Sequence, residues 1–249
     1  MLRFTTNEQE LSYLFEPEGA LILIDKPAGI TSYQVVDRIK KITKQKAGHG
    51  GTLDPFATGL LIVGTGKHTK WLGRIINADK TYTGTMVLGV ATETGDPETP
   101  VVKSCPVPEV SQEMIQKVIE KFTGKITQKP HKFSAVKVKG VPAYKLARQG
   151  KDPQIKERAV SIYELKLSNP RHRTITIQDK EYHVAMLDFL VKCSKGTYIR
   201  SLVEDIGEFL RTCAFTLSLR RTAIGNITVD NAWKFNQLIE LLEKAYENN

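Results

Sequence analysis

A chain of 249 residues, 41% of them hydrophobic, is long enough to bury a substantial core as one large domain or two small ones. Its start lacks the cationic-then-apolar pattern of a signal peptide, and no apolar run approaches the ~20 residues that span a bilayer, so a soluble cytoplasmic protein is expected. The formal charge of +9 points to a polyanionic partner.

Residues 1–17 read as a poorly anchored lead-in, and the apolar run 20–24 predicts a buried strand. Thr31 or Ser32 is placed to cap a helix whose Val35, Val36, Ile39 and Ile42 share one face. A glycine-rich loop follows, then a strand over 60–63 and a short helix near 67–76. Residues 82–90 read as another strand, ending in a polar loop over 93–98. Ser111 caps a helix in which Met114, Ile115, Val118, Ile119 and Phe122 lie together.

Residues 125–158 hold ten Lys or Arg and only two acids, Asp152 and Glu157, while the remaining chain is nearly neutral in total. Pro130, Phe133, Ser134, Gly140, Pro142 and Tyr144 interrupt the cations, which suggests an arm with a short helix over 143–149 rather than one charged helix face. Such a concentrated patch is the footprint of nucleic acid more than of lipid, since no amphipathic helix with an aromatic-rich face accompanies it. The second half predicts strands over 160–167, 174–177 and 183–191, separated by polar turns. Ile199, Leu202, Val203, Ile206, Phe209 and Leu210 stripe one face of a helix. Closing strands over 215–221 and 227–229 precede a last helix over 236–246. Cys105, Cys193 and Cys213 are odd in number and lack Cys-x-x-Cys spacing, so reduced thiols are expected. The pattern as a whole supports a mixed α+β fold with a central sheet.

The stretch Gly48-His49-Gly50-Gly51-Thr52-Leu53-Asp54-Pro55-Phe56-Ala57-Thr58-Gly59 is the most informative in the chain. Its glycines allow a flat ligand to approach the backbone. Asp54 is the only acid between Arg38 and Ala78, and a lone carboxylate among cations is either a salt-bridged structural residue or a nucleophile kept ionised by its setting. This loop resembles the active-site motif of the TruB family of tRNA pseudouridine synthases. Four more segments resemble that family in the same order: Leu23-Ile24-Asp25-Lys26-Pro27-Ala28-Gly29-Ile30-Thr31-Ser32, then Lys80-Thr81-Tyr82, then Lys195-Gly196-Thr197-Tyr198-Ile199-Arg200-Ser201-Leu202, and Leu219-Arg220-Arg221-Thr222-Ala223-Ile224-Gly225.

The resemblance implies the pseudouridine synthase fold, a mostly antiparallel mixed sheet flanked by helices with an active-site cleft. It implies Asp54, Tyr82 and Arg200 as catalytic residues. Asp54 is the nucleophile, adding to the uracil ring or capturing the ribose anomeric carbon; Arg200 is the fixed cation that keeps it ionised; Tyr82 stacks on the displaced base and takes part in proton transfer. Lys26 either supports the loop or contacts phosphate, His49 occupies the place of the extruded base, Tyr198 orients Arg200, and Leu219 walls the pocket. Residues 128–150 resemble the family's thumb-like insertion, with Lys129 and Lys132 on the RNA; a single catalytic domain over 1–249, with that insertion at about 125–155, is expected. His131 and Phe133 stand where the family pattern has a proline and a tyrosine, so stacking survives there while a hydroxyl is lost. Only about 24 residues follow Gly225, too few for the carboxy-terminal PUA domain of many relatives, since even small domains need roughly 55 residues.

The expected partner is the T-arm stem-loop of tRNA, met by a monomer without membrane, metal or cofactor. Isomerisation at uridine needs no redox step, group donor or metal, and the five histidines (49, 68, 131, 172, 183) have no metal-ligand spacing. Gly64-Thr65-Gly66-Lys67-His68 fails as a phosphate loop, because the Ser or Thr after the lysine and the earlier glycine are missing. Competing readings are a non-catalytic tRNA-binding or RNA-folding module, a guide-RNA-dependent synthase subunit, and a carboxylate-based hydrolase, which would need a second positioned acid.

Overall fold

A computed structural model describes residues 3–247, which divide into two compact units, 3–81 with 220–247 and Tyr82–Leu219. In chain order the strands are β1 (Phe4–Thr5), β2 (Leu21–Lys26), β3 (Ala47–His49), β4 (Thr58–Thr65), β5 (Lys80–Leu88), β6 (Val90–Thr92), β7 (Val101–Ser104), β8 (Gly124–Gln128), β9 (Lys137–Val138), β10 (Val141–Pro142), β11 (Arg158–Ile177), β12 (Lys180–Cys193), β13 (Ala214–Ile224), β14 (Ile227–Thr228) and β15 (Trp233–Lys234). The α-helices are α1 (Ser32–Thr43), α2 (Leu72–Asn77), α3 (Gln112–Phe122), α4 (Ala143–Arg148), α5 (Ile199–Phe209) and α6 (Phe235–Glu247). Antiparallel pairs (β2 with β4, β3 with β4, β8 with β11, β11 with β12, β13 with β14) outnumber the parallel pairs of β1 and β15 with β2 and of β4 with β13. The fold is mixed α+β, as expected.

In the first unit, β2 is apolar from Leu21 to Ile24 and β4 from Leu60 to Val63 because both faces of the sheet are covered there. Ile22, Ile24, Leu61 and Val63 point into a core closed by α1 and α6 through Val35, Ile39, Leu238 and Leu242. Leu21, Leu23, Leu60 and Ile62 point the other way, onto Leu72, Ile224 and Val229. Helix α1 starts where the sequence predicts: Thr31 Oγ1 accepts from Gln34 N–H at 3.0 Å and Gln34 Oε1 accepts from Thr31 N–H at 2.8 Å, a reciprocal cap. The lead-in is not loose. Phe4–Thr5 pairs with β2, and the 3-10 helix Glu8–Leu14 buries Leu11 and Leu14 in the core, an apolar spacing too short for a helical periodicity to reveal.

In the second unit the strand order is β13, β5, β12, β11, β8, with α3 and α5 meeting edge to face through Phe122 and Phe209 at 5.9 Å. The strands expected over 160–167 and 174–177 are one strand, β11. Asn169 and Pro170 interrupt the ladder as a bulge between Ser168 and Arg171 instead of turning the chain. Asp188 on β12 closes that gap, accepting from Asn169 Nδ2 and Arg171 Nη2 at 2.9 Å each and from Thr85 Oγ1 at 2.8 Å. The expectation of three reduced thiols is also corrected. Cys105 and Cys213 form a disulfide, and only Cys193 is free and buried. Gly89 brings the two together, its N–H donating to Cys213 O and its carbonyl accepting from Cys105 N–H, both at 2.8 Å. A separation of 108 residues hides this from the sequence, and the cysteine count no longer argues for a reducing compartment. No helix among the described residues is long and apolar enough to cross a membrane.

Candidate active site

The glycine-rich loop leaves β3 and enters β4, two strands paired from Ala47–Thr65 to His49–Val63, with Gly50 N–H adding a bond to Ile62 O at 2.8 Å. Three side chains hold the loop between them. Ser32, at the start of α1, accepts from Leu53 N–H at 2.8 Å and donates to Leu53 O at 3.0 Å. Lys26 is wholly buried and donates through Nζ to Pro27 O, Ile30 O and Pro55 O at 2.7, 2.8 and 3.1 Å. Arg221, 1% exposed, donates through Nε to Leu60 O at 2.8 Å, through Nη2 to Gly51 O at 3.0 Å and through Nη1 to Thr52 O at 3.4 Å. Asp54 therefore sits between two fixed neighbours, Leu53 and Pro55. Its own carbonyl accepts from Ala57 N–H at 3.1 Å, closing a turn that Pro55 pre-sets. The Asp54 residue is half-buried.

Two glycines in this loop are required by contact. At Gly59, φ is +103° and a β-carbon would lie 2.3 Å from Arg221 O; at Gly50 a β-carbon would lie 2.3 Å from Ile75 Cγ2 on α2. His49 is partly buried, and burial together with the nearby Arg221 charge pushes its imidazole down toward the neutral form. Its Nδ1 is buried without a hydrogen-bond partner among the described residues. Lys80, first of the Lys-x-Tyr segment, caps the end of α2 by donating to Ile75 O, Ile76 O and Ala78 O at 3.3, 2.5 and 2.6 Å.

The second unit holds the other expected residues. Tyr82 and Leu219 are buried at 9% and 7% exposure on β5 and β13. Arg200, in the first turn of α5, is 5% exposed and donates through Nη1 to Thr94 O at 2.6 Å and to Asp96 Oδ2 at 3.2 Å, and through Nη2 to Phe133 O at 3.0 Å. Asp96 is itself buried and accepts from Thr94 Oγ1 at 2.5 Å and Glu98 N–H at 3.1 Å, so the polar loop over 93–98 is organised around the carboxylate that meets Arg200. Tyr198 exchanges two bonds with the Gln128 amide, at 2.8 and 3.0 Å, and its ring lies 5.5 Å from the Arg158 guanidinium.

The basic insertion leaves the sheet after Gln128 and rejoins it at Arg158, its Cα partner across β8 and β11. Between them lie the β9–β10 hairpin and α4, tied back by Ala143 N–H to Val136 O at 2.7 Å and Tyr144 N–H to Ser134 O at 3.1 Å. Lys129 and Lys132 are exposed, and Lys132 Nζ lies 5.2 Å from the Phe133 ring centre. Lys26, His49 and Asp54 thus belong to the first unit, and Tyr82, Lys129, Lys132, Tyr198, Arg200 and Leu219 to the second. Sequence reasoning offered Ser32 only as an alternative helix cap and gave no role to Arg221, although both lie inside the quoted motifs. Asp96 carried no sequence signal, being one acid among several in a polar loop 104 residues before its partner. Among the described residues no group of three His, Cys, Asp or Glu side chains is arranged to hold a metal ion.

The model of the TruB family pseudouridylate synthases (N terminal domain) matches residues 39–199. The tRNA pseudouridine synthase B of Coxiella burnetii (strain RSA 331 / Henzerling II) is 40% identical over 230 residues, 92% of this chain and 71% of its own length. The protein of the same name from Francisella tularensis subsp. holarctica (strain OSU18) is 41% identical over 225 residues, 90% of this chain and 70% of its own. Among solved structures, a chain of a Cbf5–Nop10–Gar1 complex superimposes with a TM-score of 0.66 at 29% identity, covering 94% of this chain and 57% of that one. A chain of an H/ACA RNP bound to a substrate RNA containing 2′-deoxyuridine gives a TM-score of 0.62 at 28% identity, over 91% and 54%. The chain spans little more than half the length of these structural neighbours.

Proposed function

Because the chain belongs to the TruB family of pseudouridylate synthases, and is an isomerase of the pseudouridine synthase fold, we propose that it converts uridine to pseudouridine at position 55 in the T-loop of tRNA, with Asp54 as nucleophile. It acts as a cytoplasmic monomer on the T-arm stem-loop. A uracil within a folded loop is out of reach, so the base is first extruded at a cost of a few kcal/mol in lost stacking. His49, kept neutral, takes the place the base has left. The Asp54 carboxylate adds to the uracil ring or captures ribose C1′, the bond from C1′ to N1 breaks, the ring turns, a bond from C1′ to C5 replaces it, and the bond to Asp54 breaks to return the free carboxylate. The proton leaving C5 passes by way of the Tyr82 hydroxyl, N1 ends protonated, and no atom is gained or lost. Arg200 supplies the permanent cation, Tyr198 and Leu219 line the base, and Lys129 and Lys132 meet phosphates. Lys26 supports the loop.

The observation that carries this reading is the fixation of Leu53 and Pro55 on either side of Asp54. A nucleophile must be held near its attack geometry before substrate arrives, and bonds from Ser32, Lys26 and Arg221 do this for the backbone on both flanks. The test is to incubate the protein with an unmodified tRNA transcript, without cofactor, metal, guide RNA or protein partner, and to map pseudouridine. Modification at position 55 by the wild-type protein, and none by Asp54→Asn with RNA affinity kept within about threefold, is the expected result. Equal modification by the variant would overturn Asp54 as nucleophile. Activity appearing only when a guide RNA is added would favour the guide-dependent reading.

A further inference from the structure

At the root of the basic insertion, His131 is built into a contact that the proposed reaction does not yet use. Its Nδ1 accepts from Phe133 N–H at 3.1 Å, so that nitrogen carries no proton. Its Nε2 faces Glu204 Oε1 of α5 at 3.2 Å. The imidazole and the Phe133 ring stack with centres 5.7 Å apart and planes 28° from parallel. The His131 side chain is 9% exposed. Glu204 Oε1 lies over Gly95, where φ is +68° and a β-carbon would come within 2.5 Å of it. The carbonyl of Phe133, the same residue whose N–H His131 accepts, receives Nη2 of Arg200 at 3.0 Å.

We infer that His131 is a positioning residue: as the neutral Nε2–H tautomer it bridges Phe133 and Glu204, and so fixes the carbonyl that orients the Arg200 guanidinium. The inference rests on the function proposed above, in which Arg200 serves catalysis. The Phe133 N–H that points at Nδ1 leaves Nε2 as the ring nitrogen that carries the proton toward Glu204.

Glutamine preserves the contacts without the ring, because its amide can accept from Phe133 N–H and present an N–H to Glu204. His131→Gln is expected to keep kcat within about threefold of the wild type. His131→Ala, which removes both bonds, is expected to lower kcat about tenfold or more with KM changed less than threefold. The 15N shifts of the His131 imidazole, in protein without RNA, are expected to be those of the Nε2–H tautomer. An Nδ1–H tautomer, wild-type kcat in His131→Ala, or equal damage from Gln and Ala would each overturn the inference. If the wild-type protein modifies no tRNA, the reading of function falls, and the tautomer still decides whether the bridge exists.

Discussion

Two aspartates show how the same side chain takes opposite pH behaviour from its surroundings. Asp25, next to Lys26, is 7% exposed, and that burial opposes its charge; bidentate bonds from Arg220 at 2.8 and 2.9 Å and a bond from Lys234 at 2.5 Å outweigh it and hold the carboxyl below its ordinary value. Its stabilising contribution is present at neutral pH and is lost as pH falls through that lowered value. Asp205, on α5, lies among other carboxylates instead. Burial, with Glu204, Glu208 and Glu157 nearby, pushes it up to about 6. Between its ordinary 3.8 and about 6 the unfolded chain gives up the proton while the folded one keeps it, so stability falls with rising pH across that window and stays lower above it. With allowance for partial exposure, the loss is about 1–2 kcal/mol. Asp205→Asn is therefore expected to raise Tm at pH 7.5 and to leave it unchanged near pH 4; thermal denaturation at both values checks this, and a rise equal at both would contradict the sign.

At the scale of elements, what the sequence discloses depends on how local the cause is. Helices α1 and α3 were legible because cap and apolar stripe lie within a dozen residues, α5 from its stripe alone, and the loop around Asp54 because its glycines and proline lie within one short stretch. The 3-10 helix Glu8–Leu14 and the unbroken β11 were not, since Leu11 gains its meaning from a distant core and Asn169–Pro170 reads as a turn until Asp188 is opposite. The site divides the same way: Asp54 is visible, whereas the roles of Ser32, Arg221 and Asp96 come from partners 21, 170 and 104 residues away. The insertion lies between these cases. Its cations repel one another and its anchors are few, chiefly Ser134, Ala143 and Ile155 among its buried residues. Without RNA, amides of 135–152 are expected to exchange hydrogen faster than those of the paired β11 and β12, with Ala143 and Tyr144 slowest within the insertion because their N–H groups are bonded. Adding tRNA slows the whole segment. Protection equal to that of β11 and β12 in the free protein would show the arm to be as firmly held as the sheet.

For the molecule as a whole the question is where its positive charge meets phosphate. The insertion is one source. The stretch from Arg38 to Ala78 is another, with eight Lys or Arg against Asp54 alone, and on its exposed side Lys70 and Arg74 lie 5.9 and 4.4 Å from the Trp71 ring centre. Both regions release counterions when they neutralise phosphates, so affinity for tRNA should fall with salt by a log–log slope of roughly 0.7–0.9 per contact. Reversing two insertion charges, Lys129→Glu with Lys132→Glu, removes two such contacts and should flatten the slope by about 1.4–1.8. The affinities of the variant and the wild type should then converge as salt rises, because the lost term is the one that salt screens. A slope remains, carried by the rest of the insertion and by the cations of the first unit. Titration of a fluorescent T-arm transcript at four salt concentrations measures both slopes. Parallel lines offset by a constant would mean that the two lysines act through the shape of the arm and not through phosphate, and would remove them from the RNA interface.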